Sequence, residues 1–232
     1  NGSIPGVPAE AAGSLWEAPL PPGIEITRTL SDSAGLLERA TFGPIAAQAV
    51  GAGNRHLRVN PSDLRSWADP ASIEVAMAPR VPFVWNVLSV ASIDYFNGIV
   101  TTTAPGTFEL VGDAFLENVP EGLDGPGKWW LDSKARRIVL WPRNPGEPDG
   151  IFAARMVEAI RLQGTATSPV RHITFKGLTF SHGERGVKTE QTVQIIPLHD
   201  WEYYDHDNAI LRLRETADIT VEDCVFTASG AS

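Results

Sequence analysis

Hydrophobic and polar positions alternate along most of this chain with a period of two, and the clearest alternation occurs twice. Ile173-Thr174-Phe175-Lys176-Gly177-Leu178-Thr179-Phe180 returns 46 positions later as Ile219-Thr220-Val221-Glu222-Asp223-Cys224-Val225-Phe226. Apolar residues hold the first, third, sixth and eighth places of each copy, and a polar pair, Lys176-Gly177 or Glu222-Asp223, interrupts them. Such alternation marks a strand with one buried face, so each copy predicts a strand, a sharp bend and a second strand. Another alternating stretch precedes each copy, at 159–162 and 210–213, so one unit holds three short strands. Repeated three-strand coils are the rungs of a parallel β-helix. A single rung cannot bury its apolar face, and about three or more repeats are needed for stability. The pattern therefore predicts further rungs from a longer chain or a companion chain, with this chain ending part-way through the solenoid.

Upstream the alternating runs are shorter. Residues 1–23 carry Pro5, Pro8, Pro19, Pro21 and Pro22 and predict an irregular extended connector. Between 24 and 150, strands are expected at 24–30, 56–59, 73–77, 83–90 and 106–110. Two more, at 128–132 and 137–142, should form a hairpin through the four-residue loop Ser133-Lys134-Ala135-Arg136. A helical turn is expected over 61–67, capped by a Ser or Asp. Many short strands with regular turns favour a small sandwich or barrel. The resulting expectation is an all-β chain: a small β-sandwich-like domain over 24–150, then the first rungs of a right-handed parallel β-helix over 151–232.

Composition narrows the class of partner. With 232 residues and 43% hydrophobic content the chain can bury a substantial core. A net charge of −9 argues against nucleic acid and against anionic membrane, which need clustered Lys and Arg; a neutral or cationic ligand fits better. No apolar run approaches the roughly 18–20 residues of a membrane span, and no signal segment opens the chain. Cys224, the single cysteine, takes the place that Leu178 holds in the first copy and is expected to be a small buried hydrophobe. Most of Trp67, Trp85, Trp129, Trp130 and Trp141 are expected in a core. Adjacent Trp129 and Trp130 must point to opposite faces of a strand, which sets one of them near a surface, an interface or a sugar.

Two further strings carry a resemblance. Phe115-Leu-Glu-Asn-Val-Pro-Glu-Gly-Leu-Asp-Gly-Pro-Gly-Lys-Trp129-Trp130-Leu-Asp132, with Ile138-Val-Leu-Trp141-Pro142 after a basic turn, resembles right-handed parallel β-helix proteins that act on carbohydrate. The segment from His199 to Asp205, leading into Asn208-Ala209 and Arg212, is similar to their rung-and-loop sequence. That group includes glycoside hydrolases of the xylosidase, xylanase and fucosidase kind. The resemblance, from about residue 15 onward, implies a small β-domain inserted early in the β-helix, an extracellular or periplasmic setting, and catalytic carboxylates on later rungs.

The excursion between the two copies concentrates chemistry. His199-Asp200-Trp201-Glu202-Tyr203-Tyr204-Asp205-His206-Asp207 holds acids, histidines and aromatics side by side. Sugar recognition uses aromatic faces against pyranose C–H surfaces and carboxylates that accept hydroxyl hydrogen bonds, so Trp201, Tyr203 and Tyr204 are stacking candidates. Polar contacts are expected from His182, Glu184, His199, His206, Asp207 and Arg212. Glycosidic hydrolysis needs two carboxyl groups, ~5–5.5 Å apart for retention or ~6.5–9.5 Å for inversion; Asp200, Glu202 and Asp205 are the candidates. The plainer alternative is a solvated acidic loop.

Other chemistries fit less well. His182, His199 and His206 lack a compact metal-ligand spacing, although calcium on Asp205, Asp207 and Asn208 is conceivable; no cofactor is expected. Arg212 and Arg214, on the face opposite Leu211 and Leu213, should point outward, where they either bind an acidic sugar or pair with Glu202, Asp205 or Glu215. Gly51-Ala52-Gly53 neither follows a strand nor opens a helix, which excludes a phosphate cradle, and there is no Gly-x-Ser-x-Gly elbow. The expected function is part of a glycoside hydrolase acting on plant or algal polysaccharide. The alternatives are a non-catalytic carbohydrate-binding or cell-surface module and a polysaccharide lyase.

Overall fold

The structure is a computed structural model in which residues 4–80, 85–146, 148–186 and 209–230 are described. Among them the chain is all-β: nineteen strands and four single-turn 3-10 segments, with no α-helix. They form two compact units. One comprises the segments up to Ile26 and from Glu38 to Pro148; the other comprises Thr27–Leu37, Asp149–Gly186 and the described residues after 208. In the order of the chain the two units interleave, Thr27–Leu37 of the second lying between the first two segments of the first.

The first unit holds a four-stranded sheet in the order β1 (Trp16–Pro19), β12 (Arg137–Leu140), β11 (Lys128–Asp132) and β4 (Glu38–Arg39). The expected hairpin is present, with Asp132 opposite Arg137 across residues 133–136. The same unit contains a closed antiparallel barrel of β5 (Thr41–Val50), β6 (His56–Val59), β7 (Glu74–Pro79), β8 (Asn86–Asp94), β9 (Ile99–Thr102) and β10 (Leu110–Glu117). This corrects the sandwich-like expectation. Alternating in-out residues are the same in a sandwich and a barrel, and only the pairing of β7 with both β8 and β10 closes the ring.

The barrel interior is filled by Leu57, Val75, Met77, Leu88, Leu110 and Leu116, each worth about 1.5–3 kcal/mol on full burial. Strand β5 lacked the alternating signal because Gly43-Pro44 breaks its pattern and alanines dilute it. Those two residues face a single one, Phe115: Phe42 pairs with Leu116 and Ile45 with Ala114. The result is a β-bulge, where the missing proline N–H leaves no ladder bond unmade. The 24–30 and 106–110 runs are strands only at their ends, where β2 (Leu30–Asp32) and β10 begin. The turn near 61 is a 3-10 segment, Pro61–Asp63, and its cap is Asn60, whose side chain accepts from the Ser62 N–H at 3.1 Å.

Arg39 and Glu74 form a buried ion pair in this unit, with the Glu117 carboxylate at 3.4 Å from the same guanidinium nitrogen. Asn118, buried and in the left-handed region at φ 66°, donates to the carbonyls of Ser72 and Leu131 and accepts from the Leu131 N–H.

In the second unit β2 lies between β3 (Gly35–Leu36) and β13 (Phe152–Ala153), antiparallel to both. The two sequence copies then pair strand for strand. β14 (Ile160–Gln163) runs parallel to β17 (Leu211–Arg214), β15 (Val170–Lys176) to β18 (Thr216–Glu222), and β16 (Thr179–Ser181) to β19 (Val225–Thr227). Ile173 faces Ile219 and Phe180 faces Phe226, the same 46-position spacing as in the sequence. Positive φ repeats as well: His172 and Asp218 within β15 and β18, Gly177 and Asp223 at the bends that follow them, and His182 and Ala228 after β16 and β19, so equivalent positions use left-handed residues in both copies. Two such turns do not by themselves make a parallel β-helix, and no further turn is present among the described residues.

Burial in these turns is incomplete. Phe180 is buried, but Leu178 is exposed, as are Leu213, Val221, Val225 and Phe226. Cys224, expected to be buried, is only partly so. Its Sγ lies 3.5 Å from the Phe175 carbonyl oxygen. The apolar alternation was legible, but burial depends on what lies on the far side of the second copy, and no described residue covers it.

Candidate functional site

Of the expected sugar-contacting residues, His182, Glu184 and Arg212 are among the described residues. Asp200, Glu202, Asp205, His199, Trp201, Tyr203, Tyr204, His206 and Asp207 lie outside them, as does the conceivable calcium set Asp205, Asp207 and Asn208.

His182 and Glu184 follow β16; Glu184 is fastened to the segment that leads into β2, and His182 to Ser31 of β2 and Phe152 of β13. Glu184 is 6% exposed. Its Oε1 accepts from the Thr29 hydroxyl at 2.7 Å and from the Arg185 N–H at 2.8 Å. Its Oε2 accepts from the Arg28 N–H at 2.7 Å and from the Thr27 hydroxyl at 3.2 Å. A buried carboxylate is tolerated when its lone pairs are met in this way; three donors, from Thr29, Arg28 and Arg185, meet this one, and the Thr27 hydroxyl, with a single proton, is also within reach of the Thr29 and Ala154 carbonyls at 3.0 and 3.1 Å. Glycines make room for the cluster: a Cβ on Gly230 would lie 2.2 Å from Thr29 Oγ1, and one on Gly183 2.4 Å from Ser229 Oγ. Glu184 is thus the knot that ties residues 27–29 to the turn of chain after β16.

His182 is more open. Its ring stacks on Phe152 with centroids 4.1 Å apart and an interplanar angle of 18°, and its Nδ1 is 2.7 Å from the Ser31 hydroxyl. Phe152 is exposed. An imidazole and a phenyl ring in offset contact, with a hydroxyl beside them, form a small amphipathic surface of the kind sugar rings stack against. Neither Phe152 nor Ser31 was expected in a site. Ser31's only sequence signal was the alternation of Thr27, Thr29 and Ser31 with Arg28 and Leu30.

Arg212 stands apart from this pair. It does not point outward as expected: its Nη1 is 2.9 Å from Glu158 Oε1, with the two side chains 14% and 10% exposed. Glu158 also takes an ion pair from Arg161. The partner thus comes from the strand entry of the preceding copy, and the reason is the parallel stacking of β14 on β17. Among the described residues no group of three or more His, Cys, Asp and Glu is arranged to hold a metal ion, and no helix is long and apolar enough to cross a membrane.

No protein-family model matches the chain, and no curated protein matches it. Among solved structures, a chain described as a glycoside hydrolase superposes with a TM-score of 0.56 at 22% identity, covering 75% of this chain and 34% of that one. At that identity the likeness is one of fold. This chain spans about a third of its neighbour's length.

Proposed function

We propose that this chain is part of a parallel β-helix glycoside hydrolase that acts on plant or algal polysaccharide outside the cell or in the periplasm. The observation that carries the reading is the parallel register of the two sequence copies, Ile173 on Ile219 and Phe180 on Phe226, ending in an exposed apolar column. Stacked coils need neighbours on both sides to bury such a column, so further coils follow, from a longer chain or a companion chain. The fold likeness to a chain described as a glycoside hydrolase supports the class.

The 182–208 excursion lines the substrate groove. Trp201, Tyr203 and Tyr204 stack on sugar rings, and His182, Glu184, His199, His206, Asp207 and Arg212 supply or position polar contacts. Asp200, Glu202 and Asp205 provide carboxyl groups for hydrolysis. One carboxylic acid protonates the departing glycosidic oxygen as its bond to the anomeric carbon breaks. The second either bonds to that carbon until water displaces it or deprotonates the attacking water. No cofactor enters this chemistry.

The test incubates the full-length protein containing this sequence with arabinoxylan, fucoidan and pectin. New reducing ends without ultraviolet-absorbing product are expected, with turnover lost in Asp200→Asn, Glu202→Gln or Asp205→Asn. Unsaturated products absorbing in the ultraviolet would instead show a lyase, and binding without any new reducing ends a non-catalytic module.

A further inference from the structure

Strand β11 sends its two indoles to opposite faces. Trp129 is 0% exposed in the core, whereas Trp130 lines a cavity of about 560 Å³ in the first unit. Asp132, two residues on, shares the Trp130 face and also lines it. Trp67 reaches the same cavity from the segment after the 3-10 turn at Pro61–Asp63. We propose that this cavity is a carbohydrate-binding site for the end of a neutral oligosaccharide, made by residues none of which belongs to the 182–208 excursion.

Size, charge and rigidity each support that ligand. The volume falls within the ~300–1,000 Å³ of small-molecule sites. Half-buried Trp130 supplies a flat apolar face, the kind of group that packs against sugar C–H surfaces, and the more deeply buried Trp67 adds to the wall. The charged lining is balanced, with Arg65, Lys134 and Arg137 against Asp69, Glu121 and Asp132. Such a wall offers many donors and acceptors to hydroxyl groups and no net field to attract a uronate or a phosphate. Its groups are also held in place before a ligand arrives. The Trp67 indole N–H donates to Glu121 Oε2 at 2.9 Å, and the Ser133 hydroxyl donates to Asp69 Oδ2. Arg137 donates from Nε to Asp132 Oδ2 at 3.0 Å and from Nη1 to Glu17 Oε2 at 2.6 Å. Burial works against the Arg137 charge, but hydrogen bonds and charges from Asp132 and Glu17 outweigh it and raise its pKa. Side chains fixed in this way lose little freedom on binding, which favours affinity.

The hydrolase reading is not required for this site, and the two fail independently. The experiment titrates the full chain with xylobiose, cellobiose and methyl fucoside, with digalacturonic acid as the anionic comparison, following heat and tryptophan fluorescence. At least one neutral sugar is expected to bind, and digalacturonic acid about tenfold or more weakly. Trp130→Ala should weaken binding about tenfold or more. Because Trp130 also packs on the core, Ser66→Trp provides the second variant: Ser66 is exposed and lines the cavity, so a large side chain there fills it without disturbing the core. Ser66→Trp should abolish the same binding that Trp130→Ala weakens, with the fold intact by circular dichroism. Absence of binding by every neutral sugar, or a binding isotherm and tryptophan-fluorescence change that neither Trp130→Ala nor Ser66→Trp alters, overturns the proposal. Turnover on polysaccharide retained by Ser66→Trp separates this site from the proposed hydrolytic one.

Discussion

Thr29 and Glu184, 155 positions apart in the sequence, meet through a 2.7 Å hydrogen bond from the threonine hydroxyl to Glu184 Oε1. Two more donors, the Arg28 and Arg185 N–H groups, also meet the carboxylate. Glu184→Gln replaces one acceptor oxygen with an NH₂ group that meets donors instead of acceptors. Hydrogen bonds to charged groups are each worth about 1.5–3 kcal/mol, so the variant should lose about 2–4 kcal/mol in urea denaturation. Thr29→Val removes one donor and should cost less, about 1–2 kcal/mol.

The repeated left-handed positions predict opposite effects of similar substitutions. Ala228 sits at φ 48°, where a Cβ is strained, and Gly177 at φ 66°, where glycine is not. Ala228→Gly should raise stability by up to about 1 kcal/mol, the relief of the left-handed penalty less the entropy glycine gains when unfolded. Gly177→Ala should lower it by about 1 kcal/mol. Thermal melts of the two variants beside the parent protein check both signs.

Arg39 of β4 and Glu74 of β7 are both buried where they pair. Removing one partner strands the other, at a cost of about 3–5 kcal/mol. Glu74→Gln should therefore destabilise the first unit strongly. The double variant Arg39→Met/Glu74→Met should recover much of that loss, a non-additivity that a denaturant double-mutant cycle reads directly.

Phe226 stacks on Phe180 at 4.9 Å with planes 10° apart, yet it is 46% exposed. With Leu213, Val221 and Val225 it leaves an apolar face open. The isolated 232-residue chain should self-associate through it, and Phe226→Ser should shift sedimentation velocity profiles towards the monomer. Loss of the stack should cost about 0.5–1.5 kcal/mol beyond the lost burial.

The two sequence copies were read correctly as strand, bend and strand, because a period of two and a polar interruption are local properties of the chain. The hairpin across 133–136 was legible for the same reason: each of its strands alternates and the loop is short and polar. Strand β5 was not, since its Gly43-Pro44 bulge and small alanines erase the alternation that its partner β10 supports in space. Arg212 was expected to point outward and instead pairs with Glu158, which meets it only through stacking of one copy on the other. Glu184 was marked by its position at the start of the excursion. Its hydrogen bonds from Arg28 and Thr29 depend on contacts more than 150 positions away.

By itself the sequence determined the all-β class, the three-strand repeat with its 46-position spacing, and the alternation that sends Trp129 and Trp130 to opposite faces. These follow from backbone geometry, in which side-chain direction is set one residue at a time. Only the tertiary structure decided that the early strands close into a barrel, that Glu184 is a buried fastener, and that Trp130 joins Trp67 around a cavity. Ring closure, the hydrogen bonding of a carboxylate and the lining of a cavity are relations between residues far apart in the chain, so no local periodicity encodes them.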